Sequence, residues 1–212
     1  FVPGQTVTVS APLGNFYHRS LRDANTVLAL AGGIGITPFV SMAHAIADGE
    51  ESFSLIILYG TATLAQACFR EELEEICRRS GGKVCTVHVL SAEERDGCEH
   101  GLLSADLIRK YMPDTPCSLF LAGPQAMYRF LDGEIAALGL EQKWVRRELF
   151  GAAGDPASLP GYPAEHAEEH YTVTLQRENE RLTFPAAANE PLLVAIERAG
   201  ILANSHCRSG EC

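Results

Sequence analysis

The sequence predicts an α/β fold in which a parallel sheet carries helices on both faces. Two observations carry that expectation. From Thr26 onward, short apolar runs alternate with runs of helical period. The first apolar run, Thr26-Val27-Leu28-Ala29-Leu30, ends in the glycine-rich turn Ala31-Gly32-Gly33-Ile34-Gly35-Ile36-Thr37-Pro38, which opens the first helical run.

Five strands are expected, at Val27–Ala31, Leu55–Tyr59, Val84–Leu90, Leu119–Ala122 and Trp144–Leu149. Helices are expected at Pro38–Ala47, Gln66–Arg79, Ala105–Lys110 and Gln125–Ala137. The second helix presents Phe69, Leu73 and Ile76 as an apolar stripe opposite Arg70, Glu71, Glu72, Glu74 and Glu75. Upstream, Thr6-Val7-Thr8-Val9-Ser10 alternates polar and apolar residues, so a half-buried strand is expected there. The loop Ala11-Pro12-Leu13-Gly14-Asn15-Phe16 ends it. Between Ala152 and Glu169 the alternation breaks at Pro156, Pro160 and Pro163, a composition that reads as an extended linker. Beyond it, Tyr171–Leu175 and Arg181–Phe184 read as a hairpin, followed by a short helix at Pro191–Ala199. Residues 170–212 are too few to build a good core alone.

The 212 residues have the composition of an ordinary globular protein and a formal net charge of −10. That charge argues against nucleic acid as a partner, because phosphate binding needs a basic face. No apolar run approaches the roughly 18 residues of a membrane span. The opening Phe1-Val2-Pro3-Gly4 has neither an initiator Met nor a signal-peptide pattern and reads as a cut end. Cys68, Cys77, Cys85, Cys98 and Cys117 lack metal-ligand spacing and read as reduced thiols, which fits a cytoplasmic location. Cys207 and Cys212 differ, because they bracket Arg208-Ser209-Gly210-Glu211. The histidines show no zinc spacing, and no nucleophile elbow supports hydrolase chemistry.

The glycine turn is the most informative segment. Glycine lets a backbone approach a diphosphate closely, and the free N–H groups of the following helix face the anion. Gly32, Gly33, Gly35, Thr37 and Pro38 are therefore candidate dinucleotide-binding residues, with Pro38 pre-set for the first helical turn. Nucleotide specificity is expected after the second strand, at Tyr59, Gly60 and Thr61. No Arg or Lys follows until Arg70, which favours NADH over NADPH unless Arg70, Arg78 or Arg79 folds back.

Five segments together resemble the ferredoxin–NADP reductase superfamily. The closest likeness is to multidomain reductases of the phthalate dioxygenase reductase type, which join flavin, NAD(P) and plant-type ferredoxin modules. The segments are Pro12-Leu13-Gly14-Asn15-Phe16, the glycine turn, Leu121-Ala122-Gly123-Pro124-Gln125-Ala126-Met127, Arg146-Arg147-Glu148-Leu149-Phe150-Gly151 and Cys207-x4-Cys212. The resemblance implies that residues 1–22 end a flavin-binding β-barrel and that 23–152 form the NAD(P) domain. It further implies a linker at 153–169 and the first part of a β-grasp [2Fe–2S] domain at 170–212. It places Thr37 beside the nicotinamide, lets the nicotinamide approach the backbone at Gly123, packs Met127 under the nucleotide with Pro124 in the same cofactor-binding segment, and sets Glu148 and Phe150 against the flavin. Ala122 stands where the family usually has Cys. Cys207 and Cys212 match two of the four cluster ligands. The implied cofactors are NAD(P)H, FAD or FMN, and a [2Fe–2S] cluster. The implied activity is NAD(P)H-dependent reduction of an oxygenase or another electron acceptor. This stretch alone is expected to be inactive, since the flavin motif and two cluster ligands are missing from it. An electron-transfer subunit of a larger dehydrogenase and a redox-inert nucleotide-binding module are the alternatives.

Overall fold

The computed structural model describes residues 2–9, 14–148, 156–159, 161–177, 180–203 and 205. The chain divides into two units, the first ending at residue 148 and the second beginning at residue 149.

In the first unit, β1 (Thr26–Gly32), β2 (Ser54–Thr61), β3 (Val84–Leu90), β4 (Glu99–His100), β5 (Cys117–Ala122) and β6 (Val145–Glu148) form one parallel sheet. The strand order is β4-β3-β2-β1-β5-β6. The helices are α1 (Thr37–Ala47), α2 (Arg70–Arg79), α3 (Ala105–Tyr111) and α4 (Gln125–Leu138). The α/β class and parallel sheet are as the sequence implies, but there are six strands rather than five. The extra one, β4, is two residues long and pairs with Val89 and Leu90. Its length leaves no periodicity to read.

The central strands are apolar throughout because both faces are covered. Val27, Ala29 and Ala31 of β1 pack with Phe39 and Ala43 of α1 and Leu73 and Ile76 of α2. The alternate residues Leu28 and Leu30 face the other way and are equally buried, as are Leu119 and Leu121 of β5. Leu131 and Ile135 of α4 and Ile108 of α3 are buried too.

Three expectations are corrected. Residues 6–9 are exposed and carry no strand, since nothing among the described residues completes a hydrogen-bonded ladder with them. The 66–79 helix begins only at Arg70. Phe69 precedes it with φ +58, a left-handed backbone that ends the stripe at Leu73 and Ile76 and leaves the ring 42% exposed. Trp144 ends a short 3-10 turn rather than starting β6.

The second unit holds an antiparallel hairpin of β7 (His170–Arg177) and β8 (Glu180–Ala187) and the helix α5 (Leu192–Arg198). Phe184, Ala186 and Ala195 form its small core. The linker has short 3-10 turns at Pro156–Ser158 and Ala164–His166. Among the described residues, no helix is long and apolar enough to cross a membrane.

Candidate functional site

The strand order places β1 at the switch point of the sheet: β2, β3 and β4 lie on one side and β5 and β6 on the other. A crevice opens outside the carboxyl ends of strands at such a point. The glycine turn lies there. β1 ends at Gly32, a single 3-10 turn covers Gly33–Ile36, and α1 starts at Thr37 with Pro38 in its first turn.

The three glycines do different work. Gly33 has φ +52, which glycine adopts without strain. A methyl group on Gly35 would lie 2.1 Å from the Ala122 carbonyl oxygen and 2.6 Å from the Gly123 nitrogen. Only glycine lets the turn lie directly on the end of β5. Gly32 and Gly123 face the Met127 thioether, which a Cβ would approach to 2.5 and 2.8 Å respectively. No side chain caps the N-terminus of α1; the Thr37 N–H donates to the Ile34 carbonyl across the end of the 3-10 turn, and Pro38 has no N–H. The Thr37 hydroxyl donates to the Ile34 carbonyl at 3.2 Å.

A cavity of about 400 Å³ opens over these groups. Six of the residues singled out from the sequence line it: Gly32, Gly33, Gly60, Thr61, Pro124 and Met127. Its apolar lips are Leu102, Leu103 and Phe130. Sequence reasoning missed all three. Phe130 could have been found, since it lies one helical turn beyond Met127. Leu102 and Leu103 follow β4 and carried no signal.

Tyr59 does not line the cavity. Strand alternation turns its side chain to the α1–α2 face, where it is fully buried. Its hydroxyl accepts the Cys68 N–H at 3.0 Å, and its ring lies 5.7 Å from that of His88. Burial pushes the Tyr59 pKa up. Tyr59 therefore braces the β2–α2 connection from beneath.

Glu148 ends β6 in register with Ala122. The Tyr128 hydroxyl lies between the Glu148 carbonyl and the Leu121 carbonyl, the latter at 3.2 Å, and ties both strand ends to α4. Burial pushes the Tyr128 pKa up to about 12, so it stays a donor. Phe150, Cys207 and Cys212 lie outside the described residues.

Two residues upstream of Glu148, Arg146 is buried with its guanidinium 3.2 Å from the Asp23 carboxylate. It donates to the Tyr17 carbonyl at 2.5 Å and lies over the Phe120 ring. Asp23 also accepts the Arg19 N–H at 2.8 Å. This knot fastens the segment leading into β1 to the strand that ends at Glu148. Phe16 adds apolar contacts to Phe39 and Phe120.

Comparison with known proteins agrees with this geometry. Residues 29–132 match the family model described as the oxidoreductase NAD-binding domain. The flavohemoprotein of Oceanobacillus iheyensis is 22% identical over 149 residues, which are 70% of this chain and 36% of that protein. One component of the Escherichia coli 1,2-phenylacetyl-CoA epoxidase is 26% identical over 220 residues, 99% of this chain and 60% of that protein. The chain thus spans little more than a third of the flavohemoproteins it matches. Among solved structures, the flavohemoglobin of Malassezia yamatoensis with bound FAD and heme superposes with a TM-score of 0.58 at 22% identity, over 70% of this chain and 39% of that one.

Proposed function

Residues 29–132 belong to the oxidoreductase NAD-binding domain family, and from that premise we propose that the chain is the nucleotide-binding part of an NAD(P)H-dependent flavoprotein reductase. The observation that carries this reading is the glycine turn pressed against Ala122 and Gly123 at the switch point of the sheet. That contact leaves backbone donors and an apolar cavity where a dinucleotide enters. Gly32, Gly33, Gly35 and the start of α1, at Thr37 and Pro38, hold the diphosphate. Gly60, Thr61, Pro124 and Met127 bound the space around it, with Gly123 and Tyr59 supporting those walls. Leu102 and Phe130 offer apolar surfaces to a flat ring. When bound, NAD(P)H supplies a hydride from nicotinamide C4, and FAD or FMN is its acceptor. Thr37, Glu148 and Phe150 are assigned to the edge of that reaction; their part is to orient the ring and exclude water.

The acceptor side is also a proposal. Cys207-x4-Cys212 follows a hairpin and a short helix, and that order supports reading 170–212 as the start of a [2Fe–2S] domain. The relative that matches 99% of this chain is named as part of an epoxidase. That name supports an oxygenase-type redox partner served by this chain as an electron-transfer subunit. Ala122, in place of Cys, favours the redox-inert alternative. Anaerobic visible spectroscopy of the complete gene product separates the readings. The reductase reading expects flavin and iron–sulfur absorbance that bleaches with NADH or NADPH. A colourless protein, or one whose bands persist with both, overturns it.

A further inference from the structure

The chain has three methionines, and their surroundings differ. Met42 is buried in the core that α1 and α2 form with the sheet. Met112 is half-buried at the end of α3. Met127 is half-buried too, but it forms part of the wall of the dinucleotide cavity.

The Met127 thioether is confined on one side. A Cβ on Gly32 would lie 2.5 Å from its Sδ, and a Cβ on Gly123 would lie 2.8 Å from Sδ and 2.7 Å from Cε. The sulfur therefore rests on both glycine α-carbons, where β1 ends and the chain leaves β5. The helix cannot carry it away. The Met127 N–H donates to the Pro124 carbonyl at 2.9 Å. The next residue, Tyr128, is tied through its hydroxyl to the Leu121 carbonyl at 3.2 Å and to the Glu148 carbonyl. An atom added to the sulfur thus finds backbone on one side and the cavity on the other.

We propose that Met127 is a peroxide-sensitive modification site whose oxidation shuts the cavity to dinucleotide. This rests on the dinucleotide reading of that cavity. In the step, a lone pair of Sδ attacks one oxygen of hydrogen peroxide. An S–O bond forms and the O–O bond breaks. The proton of the transferred oxygen passes to the departing one, which leaves as water. Sulfur gives up two electrons and the peroxide takes them.

Oxidation turns a flexible apolar side chain into a polar one. Glycine backbone fills the space beneath, so the new oxygen projects into the cavity, whose Leu102, Leu103 and Phe130 side chains offer it no donor. Burying it there under a nucleotide costs free energy. Its partial negative charge also faces the space that a diphosphate must enter. Bound nucleotide covers the sulfur, so the switch acts on the empty protein. Sulfoxide reductases restore the thioether, which makes the change reversible.

The test treats the 212-residue chain with dilute hydrogen peroxide and then with dithiothreitol, which reverses disulfides and sulfenic acids at the cysteines. Peptide mass spectrometry reads the gain of one oxygen at each methionine. Calorimetric titration reads the affinity for NAD+ and NADP+. The proposal expects Met127 to gain oxygen faster than Met42, and saturating nucleotide to slow the gain at Met127 but not at Met112. Affinity falls at least about tenfold in the oxidised chain, as expected for a displaced wall group, and recovers with methionine sulfoxide reductase. Met112→Leu keeps that loss, whereas in Met127→Leu peroxide leaves the variant's own affinity where it was. If Met127→Leu binds no nucleotide, recovery with the reductase decides. Far-UV circular dichroism verifies that the oxidised chain is folded. An unreactive or unprotected Met127, a smaller loss, a loss the reductase does not repair, an equal loss in Met127→Leu, or unfolding on oxidation overturns the proposal and leaves the dinucleotide cavity standing. Binding of neither nucleotide to the untreated chain overturns the dinucleotide reading, and the switch with it.

Discussion

Replacing Gly35 with alanine tests the contact on which the site is built. The added methyl would lie 2.1 Å from the Ala122 oxygen, 2.4 Å from its carbonyl carbon and 2.6 Å from the Gly123 nitrogen, where ordinary contact begins at 3.4 Å. The turn must retreat by more than an ångström. No side chain can rotate away, because all three atoms are backbone. That backbone is fixed by β1 and β6, which pair with Ala122 through Ala31 and Glu148. Overpacking of this kind costs about 3 kcal/mol, the upper end of its usual range. For a chain of this size the melting temperature then falls by roughly 6–12 °C. Displacing the turn by an ångström should weaken NAD(P)+ binding about 100-fold, by analogy with other misplaced site groups. Gly33→Ala is the control for stability alone, since Gly33 lines the cavity. It meets nothing within 4 Å and bears only its φ of +52, for about 1 kcal/mol. Thermal denaturation and calorimetric titration of both variants decide the matter. If Gly35→Ala melts with the wild type and binds within twofold of it, the close-approach argument is wrong.

Other perturbations probe the supports around the site. Arg146→Ala leaves the Asp23 carboxylate buried without its counterion and should cost about 3–5 kcal/mol in urea denaturation; replacing both residues with apolar ones should cost less. Tyr128→Phe removes the hydroxyl between the Leu121 and Glu148 carbonyls and should lower stability by about 1 kcal/mol, seen as a 2–4 °C drop in melting temperature. His88 is held below its ordinary pKa, mainly by burial, with Glu74 opposing and Arg70 adding to the shift. The unfolded chain then binds more protons than the folded one between that lowered value and about pH 6.5. Stability should therefore be complete above pH 6.5 and decline as pH falls through this window, and the decline should be smaller in His88→Gln.

Local signals made the sheet legible in the sequence, and long-range contacts stayed hidden. The five longer strands and four helices were legible because each repeats its own period over several residues. Gly32, Gly33, Gly60, Thr61, Pro124 and Met127, which each stand at a strand end or one turn into a helix, line one cavity. Tyr59 stands beside residues that line the cavity, but strand alternation sends its ring to the opposite face, and no pattern of neighbouring residues encodes that. Phe69 kept the helical spacing of Leu73 and Ile76, yet its left-handed backbone left it outside the helix. The Asp23–Arg146 pair joins distant parts of the chain, and no local pattern encodes such a partner.

Hydrogen exchange of the backbone amides, read by mass spectrometry with and without saturating NAD+ or NADP+, tests the central claim most directly. The account predicts slowed exchange in peptides covering 32–39 and 122–127, where backbone donors meet the diphosphate and the walls close on it. Unchanged exchange in both segments at saturating nucleotide, with protection only elsewhere, would contradict it.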